Sequence, residues 1–106
     1  MREFSAGELS AYLCNADCKP LLLDVREPWE FDKVSIEGST LVPMRQIGEH
    51  IHMLNSDDEI VVICHHGIRS RVVCRFLESE GFSNVINLSG GIAAWAKDVD
   101  CQMPTY

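Results

Sequence analysis

Short apolar runs alternate with segments of helical periodicity along this chain. The apolar runs predict four strands, at residues 21–23, 41–42, 60–63 and 85–88. The run Ile60–Ile63 is β-branched at every position, which is typical of a central parallel strand covered on both faces. Because helical segments lie between the strands, we expect an α/β fold with a mostly parallel sheet.

The segments beside these strands carry helix signals. Ser5 and Glu8 have the spacing of a capping box, in which each side chain accepts from the other's backbone amide, so a first helix should run to about Cys14. Apolar residues at positions 44, 47, 51 and 54 recur at helical spacing and predict one amphipathic helix. Further helices are expected after Pro28, from near Ser70 to Gly81, and after residues 90–91.

The composition favours one folded domain over residues 1–106. Hydrophobic residues make up 46% and charged residues 24%, values typical of a globular protein. The first ten residues lack the apolar block of a secretory signal, and no apolar run approaches the roughly 20 residues of a membrane span. Five cysteines, an odd number, indicate free thiols in a reducing compartment. We therefore expect a soluble, cytoplasmic protein.

The net charge of −7 argues against functions that require a basic surface. Neither nucleic acid nor an anionic membrane is expected as a partner. The charge is unevenly distributed, however, since residues 60–77 contain no Asp or Glu and include Arg69, Arg71 and Arg75 beside two histidines. This basic corner is either a chance cluster on a solvated helix face or part of an anion site.

The main candidate for chemistry is the segment 64–70, which joins the strand Ile60–Ile63 to the next predicted helix. Ligands of open α/β sheets bind at the carboxyl ends of strands, where this segment lies. The helix N-terminus and nearby cationic side chains favour a thiolate at Cys64, at the mouth of the sheet and within reach of solvent. The predicted nucleophile is Cys64, and its predicted anion cradle consists of His65, His66, Gly67, Ile68, Arg69 and Ser70.

Two residues give this cradle its expected chemistry. Gly67 allows a backbone conformation in which the amides of residues 65–69 curl around the sulfur. Arg69 carries a planar fork of donors that suits a tetrahedral oxyanion such as a sulfonate or a phosphate. Thiolate and oxyanion holder are thus expected in one loop.

Other interpretations of the same residues stay open. Cys64 is alternatively a buried structural cysteine, because free cysteine is among the most buried residue types. His65 and His66 lie side by side next to one cysteine, which lacks the ligand spacing of a zinc site, so neither a metal nor a cofactor is expected. The two histidines are expected instead to add positive potential or a proton donor near the sulfur.

Four groups of residues form a pattern along nearly the whole chain. They are Asp24-Val25-Arg26 with Glu30-Phe31; Ile36, Gly38 and Val42-Pro43; residues 64–70; and Gly81-Phe82, Asn84-Val85, Leu88, Gly90-Gly91 and Trp95. This pattern resembles the rhodanese family of sulfurtransferases, single-domain type. The resemblance implies a five-stranded sheet with helices on both faces.

The resemblance also implies a two-step sulfur transfer. Cys64 would take sulfane sulfur from thiosulfate or a persulfide donor, become a persulfide, and pass the sulfur to cyanide, a thiol or a sulfur-relay protein. Arg69 would orient the sulfonate of the donor. Asp24, Arg26 and Glu30 would form an ion-pair set that supports the loop rather than takes part in the reaction.

Two other functions remain as alternatives. The first is a binding or regulatory module that keeps the fold without turnover, although such modules often lose the cysteine. The second is a cysteine-dependent phosphatase of related fold, whose loop is one residue longer between Cys and Arg than the loop from Cys64 to Arg69. Among the other thiols, Cys74 is expected in the core, and Cys14, Cys18 and Cys101 have no identifiable partner.

Overall fold

Five short strands form one sheet in the computed structural model, which describes residues 1–106. The strands are β1 (Arg2–Phe4), β2 (Leu21–Asp24), β3 (Thr40–Leu41), β4 (Ile60–Ile63) and β5 (Val85–Leu88). Their order in the sheet is β1-β5-β4-β2-β3, and every neighbouring pair is parallel. The expected α/β fold is confirmed, and β4 occupies the middle of the sheet.

Helices connect the parallel strands. They are α1 (Ala6–Asn15), α2 (Pro28–Lys33), α3 (Ile47–His50), α4 (Ile68–Ser79) and α5 (Gly91–Asp98). The capping box at the start of α1 is confirmed, because the Glu8 amide donates to Ser5 Oγ at 3.1 Å and the Ser5 amide donates to Glu8 Oε1 at 2.9 Å. None of the helices combines the length and the apolar composition that crossing a bilayer requires.

The alternation of side chains along β4 divides the core into two layers. Ile60 and Val62 pack on one face of the sheet with apolar residues of α3 and α4. Val61 and Ile63 pack on the other face with apolar residues of α1 and α5. β4 is therefore buried on both faces, and the loop to α4 begins at its carboxyl end.

The segment predicted as one amphipathic helix forms three short pieces instead. A 3₁₀ turn at Met44–Gln46 leads into α3, and a second 3₁₀ turn at Ile51–Met53 follows it. The apolar residues at 44 and 47, and again at 51 and 54, are three positions apart, which matches the three residues per turn of a 3₁₀ helix. These four side chains still pack against the core, so the apolar pattern is satisfied without a regular helix.

The edge strand β1 is absent from the strands that the apolar pattern predicts. It has three residues, of which only Phe4 is apolar, so the segment has no strand signal of its own. Pairing with β5, in which Arg2 lies opposite Ile86 and Phe4 opposite Leu88, creates this strand.

Candidate active site

Cys64 directly follows β4 and continues the side-chain alternation of that strand. Ile60 and Val62 face the α4 side of the sheet, so Cys64 faces α4 as well. Its side chain is 1% exposed. The sequence-based expectation of a thiol within reach of solvent is therefore wrong for this conformation, because the loop closes over the sulfur.

Polar groups surround the buried sulfur. The Gly67 amide donates to Cys64 Sγ at 3.0 Å and the Ser70 amide at 3.4 Å, while the thiol donates to Ser70 Oγ at 3.3 Å. Both amides belong to the start of α4, so the positive end of the helix dipole faces the sulfur. Of the amides at residues 65–69, only that of Gly67 bonds to the sulfur, and Ser70 supplies the second donor.

Gly67 makes this geometry possible. Its φ of +94° lies in the left-handed region, which glycine adopts without steric penalty. A Cβ atom at this position would also lie 3.1 Å from the Gly90 nitrogen and 3.2 Å from the Leu88 oxygen. The sequence-based role of Gly67 in shaping the loop thus agrees with its backbone conformation.

The start of α5 holds the loop from the opposite side. The Ile92 amide donates to the Cys64 carbonyl at 2.9 Å, and the Ala93 amide donates to the His65 carbonyl at 3.1 Å. A Cβ atom on Gly91 would overlap both of these carbonyl groups. The loop therefore lies between the N-termini of α4 and α5, with the Gly67 amide toward the sulfur and two carbonyls toward α5.

Arg69 has a partner that the sequence does not indicate. Its guanidinium donates from Nη1 to Glu30 Oε1 at 2.6 Å and from Nη2 to Glu30 Oε2 at 2.9 Å. This bidentate hydrogen bond is the main reason that the pKa of Glu30 falls to about 2. Arg69 is thus paired with a carboxylate of the protein, and its predicted contact with the sulfonate of a donor stays a prediction.

Asp24, Arg26 and Glu30 do lie beside the loop, but they do not form one ion-pair set. Arg26 pairs with Asp24, with Nη2 2.7 Å from Oδ2, and both side chains are fully buried. Arg26 reaches Glu30 only at its backbone carbonyl, 3.3 Å away. The carboxylate of Glu30 is used by Arg69 instead, so α2 connects the end of β2 to the active loop.

An aromatic stack flanks the loop on its outer side. The His65 ring stacks on the His66 ring with centroids 4.0 Å apart, and on the Tyr106 ring at 4.2 Å. Burial, followed by the proximity of His66, lowers the pKa of His65. Ile68, by contrast, projects into solvent with 72% of its surface exposed.

Sequence reasoning missed Tyr106. Its hydroxyl accepts from Arg26 Nη1 at 2.8 Å and donates to Glu30 Oε2 at 2.9 Å, so it connects two charged groups behind the loop. This residue lies in a segment without regular structure, where no local pattern indicates a contact.

Asn87 was also missed, although a signal was present. It is the one polar residue in the apolar strand β5, and it is completely buried. Ser70 Oγ donates to Asn87 Oδ1, while Asn87 Nδ2 donates to Glu3 Oε1 at 2.9 Å. A polar side chain inside a buried parallel strand, next to a candidate nucleophile loop, could have been identified as part of the site.

The remaining thiols take no part in these hydrogen bonds. Cys74 is buried on α4, as the sequence predicts, and burial raises the pKa of its thiol to about 12. Cys14, Cys18 and Cys101 are exposed, and no cysteine forms a disulfide.

Comparison with known proteins identifies the family. Residues 5–98 match the family model of the Rhodanese-like domain. A crystal structure of a rhodanese-like domain protein from Staphylococcus aureus superposes with a TM-score of 0.83 at 28% sequence identity, covering 90% of this chain and 91% of that one. The chain therefore belongs to the rhodanese-like domain family.

Relatives of similar length and longer relatives both match the chain. It is 37% identical to the putative sulfurtransferase YtwF of Bacillus subtilis, covering 90% of each protein, and 33% identical to a sulfurtransferase of Allochromatium vinosum, covering 92% of this chain and 90% of that one. It is 40% identical to the chloroplastic Rhodanese-like/PpiC domain-containing protein 12 of Arabidopsis thaliana, covering 80% of this chain. There it spans only 30% of the longer protein.

Proposed function

We propose that this protein is a sulfurtransferase in which Cys64 carries the transferred sulfur as a persulfide. The observation that carries the proposal is the pair of amides, from Gly67 and Ser70, that point at the Cys64 sulfur from the N-terminus of α4. Such donors stabilise a negative sulfur both before and after it binds a second sulfur atom. The sulfurtransferases among the relatives support the same general reaction.

The proposed reaction has two balanced steps. In the first, the Cys64 thiolate attacks the outer sulfur of thiosulfate, the bond between the two thiosulfate sulfurs breaks, and sulfite leaves with the electron pair. With a persulfide donor, the corresponding thiolate leaves instead. In the second step, cyanide or a thiolate attacks the outer sulfur of the Cys64 persulfide, and Cys64 leaves as a thiolate again.

Arg69 has an indirect role in this proposal. Because its guanidinium is paired with Glu30, Arg69 holds the end of the loop against α2. The amides of Gly67 and Ser70, rather than a free guanidinium, would then stabilise the anionic sulfur.

The donors that we propose are small sulfane compounds, and the acceptors are thiols, cyanide or a sulfur-relay protein. We place the reaction in the cytoplasm, where five free thiols would stay reduced.

The direct test is to incubate the protein with thiosulfate, and separately with glutathione persulfide, and to locate added sulfur by peptide mass spectrometry. We expect one added sulfur atom on Cys64, and its loss after addition of cyanide. Cys64→Ser should abolish the modification, whereas Cys101→Ser, which removes an exposed thiol, should leave it intact. A persulfide that persists in Cys64→Ser would assign the chemistry to another cysteine.

A second function is favoured by one observation, the burial of Cys64. A sulfur that is 1% exposed suits a binding module that keeps the fold without turnover. The same experiment separates the two functions, because a noncatalytic module would gain no sulfur on Cys64 from either donor while remaining folded.

A further inference from the structure

A chain of hydrogen bonds runs from the Cys64 sulfur to a carboxylate on the edge strand. The Cys64 thiol donates to Ser70 Oγ at 3.3 Å, and Ser70 Oγ donates to Asn87 Oδ1. Asn87 Nδ2 then donates to Glu3 Oε1 at 2.9 Å and to the Gly67 carbonyl at 3.3 Å. The chain crosses from the loop through β5 to β1, and its central residue, Asn87, is fully buried.

Two groups that can only accept hydrogen bonds fix the direction of the bonds made by Asn87 and Ser70. The Glu3 carboxylate and the Gly67 carbonyl are acceptors only, so both must face the amide nitrogen of Asn87. The amide oxygen of Asn87 therefore faces Ser70, and the single hydroxyl proton of Ser70 is committed to it. As a result, Ser70 Oγ presents a lone pair, not a proton, to the Cys64 sulfur.

We propose that Asn87 and Glu3 are positioning residues, which orient the Ser70 hydroxyl away from the Cys64 sulfur and leave the loop amides as the only donors to that sulfur. The inference rests on the proposed function in one respect, that Cys64 is the nucleophile.

This orientation has a chemical purpose. A hydroxyl that donated to the thiolate would stabilise it further, but the nucleophilicity of a thiolate falls as the thiolate becomes more stable. Holding the Ser70 proton on Asn87 limits that stabilisation, so the sulfur stays reactive in the transfer steps.

Both oxygens of the Glu3 carboxylate accept further hydrogen bonds. Oε1 also accepts from Ser89 Oγ at 2.7 Å, and Oε2 accepts from Arg71 Nε at 3.1 Å. The bonds to Ser89 and Asn87 are the main causes that lower the pKa of Glu3, so Glu3 stays ionised and acceptor-only at neutral pH. Glu3 lies outside residues 5–98, the part of the chain that matches the family model.

The test measures the rate of alkylation of Cys64 by iodoacetamide as a function of pH, with peptide mass spectrometry to separate it from the other thiols. In Asn87→Ala the Ser70 hydroxyl is free to donate to the thiolate. We expect the midpoint of the alkylation profile to move down by about one pH unit, the size of one hydrogen bond to a charged group. In Asn87→Ala combined with Ser70→Ala that shift should disappear, since no hydroxyl remains.

The other charged or titratable groups near Cys64 stay unchanged in these variants. They are Arg69 and Cys74 on α4, His65 in the loop, and Glu30 behind Arg69. A thermal unfolding curve of each variant establishes that it is folded. A folded Asn87→Ala protein with an unmoved midpoint, or a shift that persists without the Ser70 hydroxyl, would overturn the inference.

A milder pair of variants keeps the test decisive if the buried substitution prevents folding. Glu3→Gln supplies a donor at position 3, so Asn87 is no longer held in one orientation, and a smaller downward shift is expected. Glu59→Gln is the matched control, because Glu59, like Glu3, is paired with an arginine, in this case Arg2 at 2.8 Å, and it is expected to leave the midpoint unchanged. Equal midpoints in Glu3→Gln and Glu59→Gln would contradict the proposed role of Glu3.

Failure of this inference is distinguishable from failure of the proposed function. Alkylation reports the state of the Cys64 sulfur without any sulfur donor, whereas persulfide formation reports the transfer reaction itself. A protein that forms the persulfide but shows no effect of Asn87 would retain its function and lose only the positioning role.

Discussion

The side chain of Cys64 differs from the other four thiols in what surrounds it. Three of the five cysteines are exposed, Cys74 is buried in the core, and Cys64 is buried among hydrogen-bond donors. A small donor must enter the closed loop to reach Cys64, so the loop should discriminate by size among reagents that attack thiols.

Alkylating reagents of two sizes test this discrimination. We expect Cys14, Cys18 and Cys101 to react with both a small iodoacetamide and a bulky dye-linked maleimide. Cys64 should react with iodoacetamide but roughly tenfold more slowly with the bulky reagent, because access then requires local opening. Peptide mass spectrometry gives each rate, and Cys74 serves as a buried control that reacts with neither. Equal rates of Cys64 and Cys101 with the bulky reagent would contradict the closed loop.

At the scale of elements, a buried ion pair of Asp24 and Arg26 links the end of β2 to α2, because Arg26 also donates to the carbonyl of Glu30 in α2. All five N–H groups of Arg26 find partners, two of them on Asp24 and the others on the carbonyls of Glu30 and Val34 and on the Tyr106 hydroxyl. Removing one member of such a pair leaves a buried charge without compensation, which is more destabilising than the loss of an exposed pair.

Two ion pairs near the start of α2, one buried and one exposed, provide a matched comparison. Asp24→Asn should lower the free energy of unfolding by about 3–5 kcal/mol, because it leaves the buried Arg26 without its carboxylate. Arg45→Gln breaks the exposed pair of Arg45 with Glu27 and should lower it by about 1 kcal/mol or less. Urea unfolding monitored by circular dichroism measures both. Similar losses would show that burial does not separate the two pairs.

At the scale of the whole molecule, Glu30 joins two distant parts of the chain to the start of its own helix. Its carboxylate accepts from Arg69 of the active loop, from Tyr106 in the C-terminal segment and from the amide of Glu27. Since these bonds hold the pKa of Glu30 at about 2 in the folded protein, well below its ordinary value of 4.5, the folded state binds the Glu30 proton less readily than the unfolded state.

The free energy of unfolding depends on pH through the protonation of Glu30. The stability that Glu30 contributes is fully present above about pH 4.5 and is lost as the pH falls toward about 2. Glu30→Gln should therefore be less stable at neutral pH by roughly 2 kcal/mol, and its stability should fall less steeply than that of the wild type at acid pH. Urea unfolding from neutral pH down to about pH 3 measures both effects, with Glu80→Gln as a control that breaks no ion pair. Parallel stability curves for wild type and Glu30→Gln would contradict the role of Glu30.

The sequence by itself determined the class of fold and the place of the site. Three features act over only a few neighbouring residues and can therefore be recognised in the sequence: the β-branched run Ile60–Ile63, the capping box at Ser5 and the glycine at position 67. They located a thiol at the end of a central strand and facing the start of a helix. The same local signals missed β1, which exists only by pairing with β5. They also predicted one regular helix where the structure has two 3₁₀ turns flanking a short helix.

Only the tertiary structure decided which polar groups meet at the loop. Arg69 finds Glu30 across 39 positions, Asn87 finds Glu3 across 84, and Tyr106 finds Glu30 across 76. Such contacts depend on how strands are ordered and helices packed, and no pattern within one or two turns encodes them. Through them the Arg69 guanidinium is paired with Glu30, and Asn87, which accepts from the Ser70 hydroxyl beside the Cys64 sulfur, is held by Glu3.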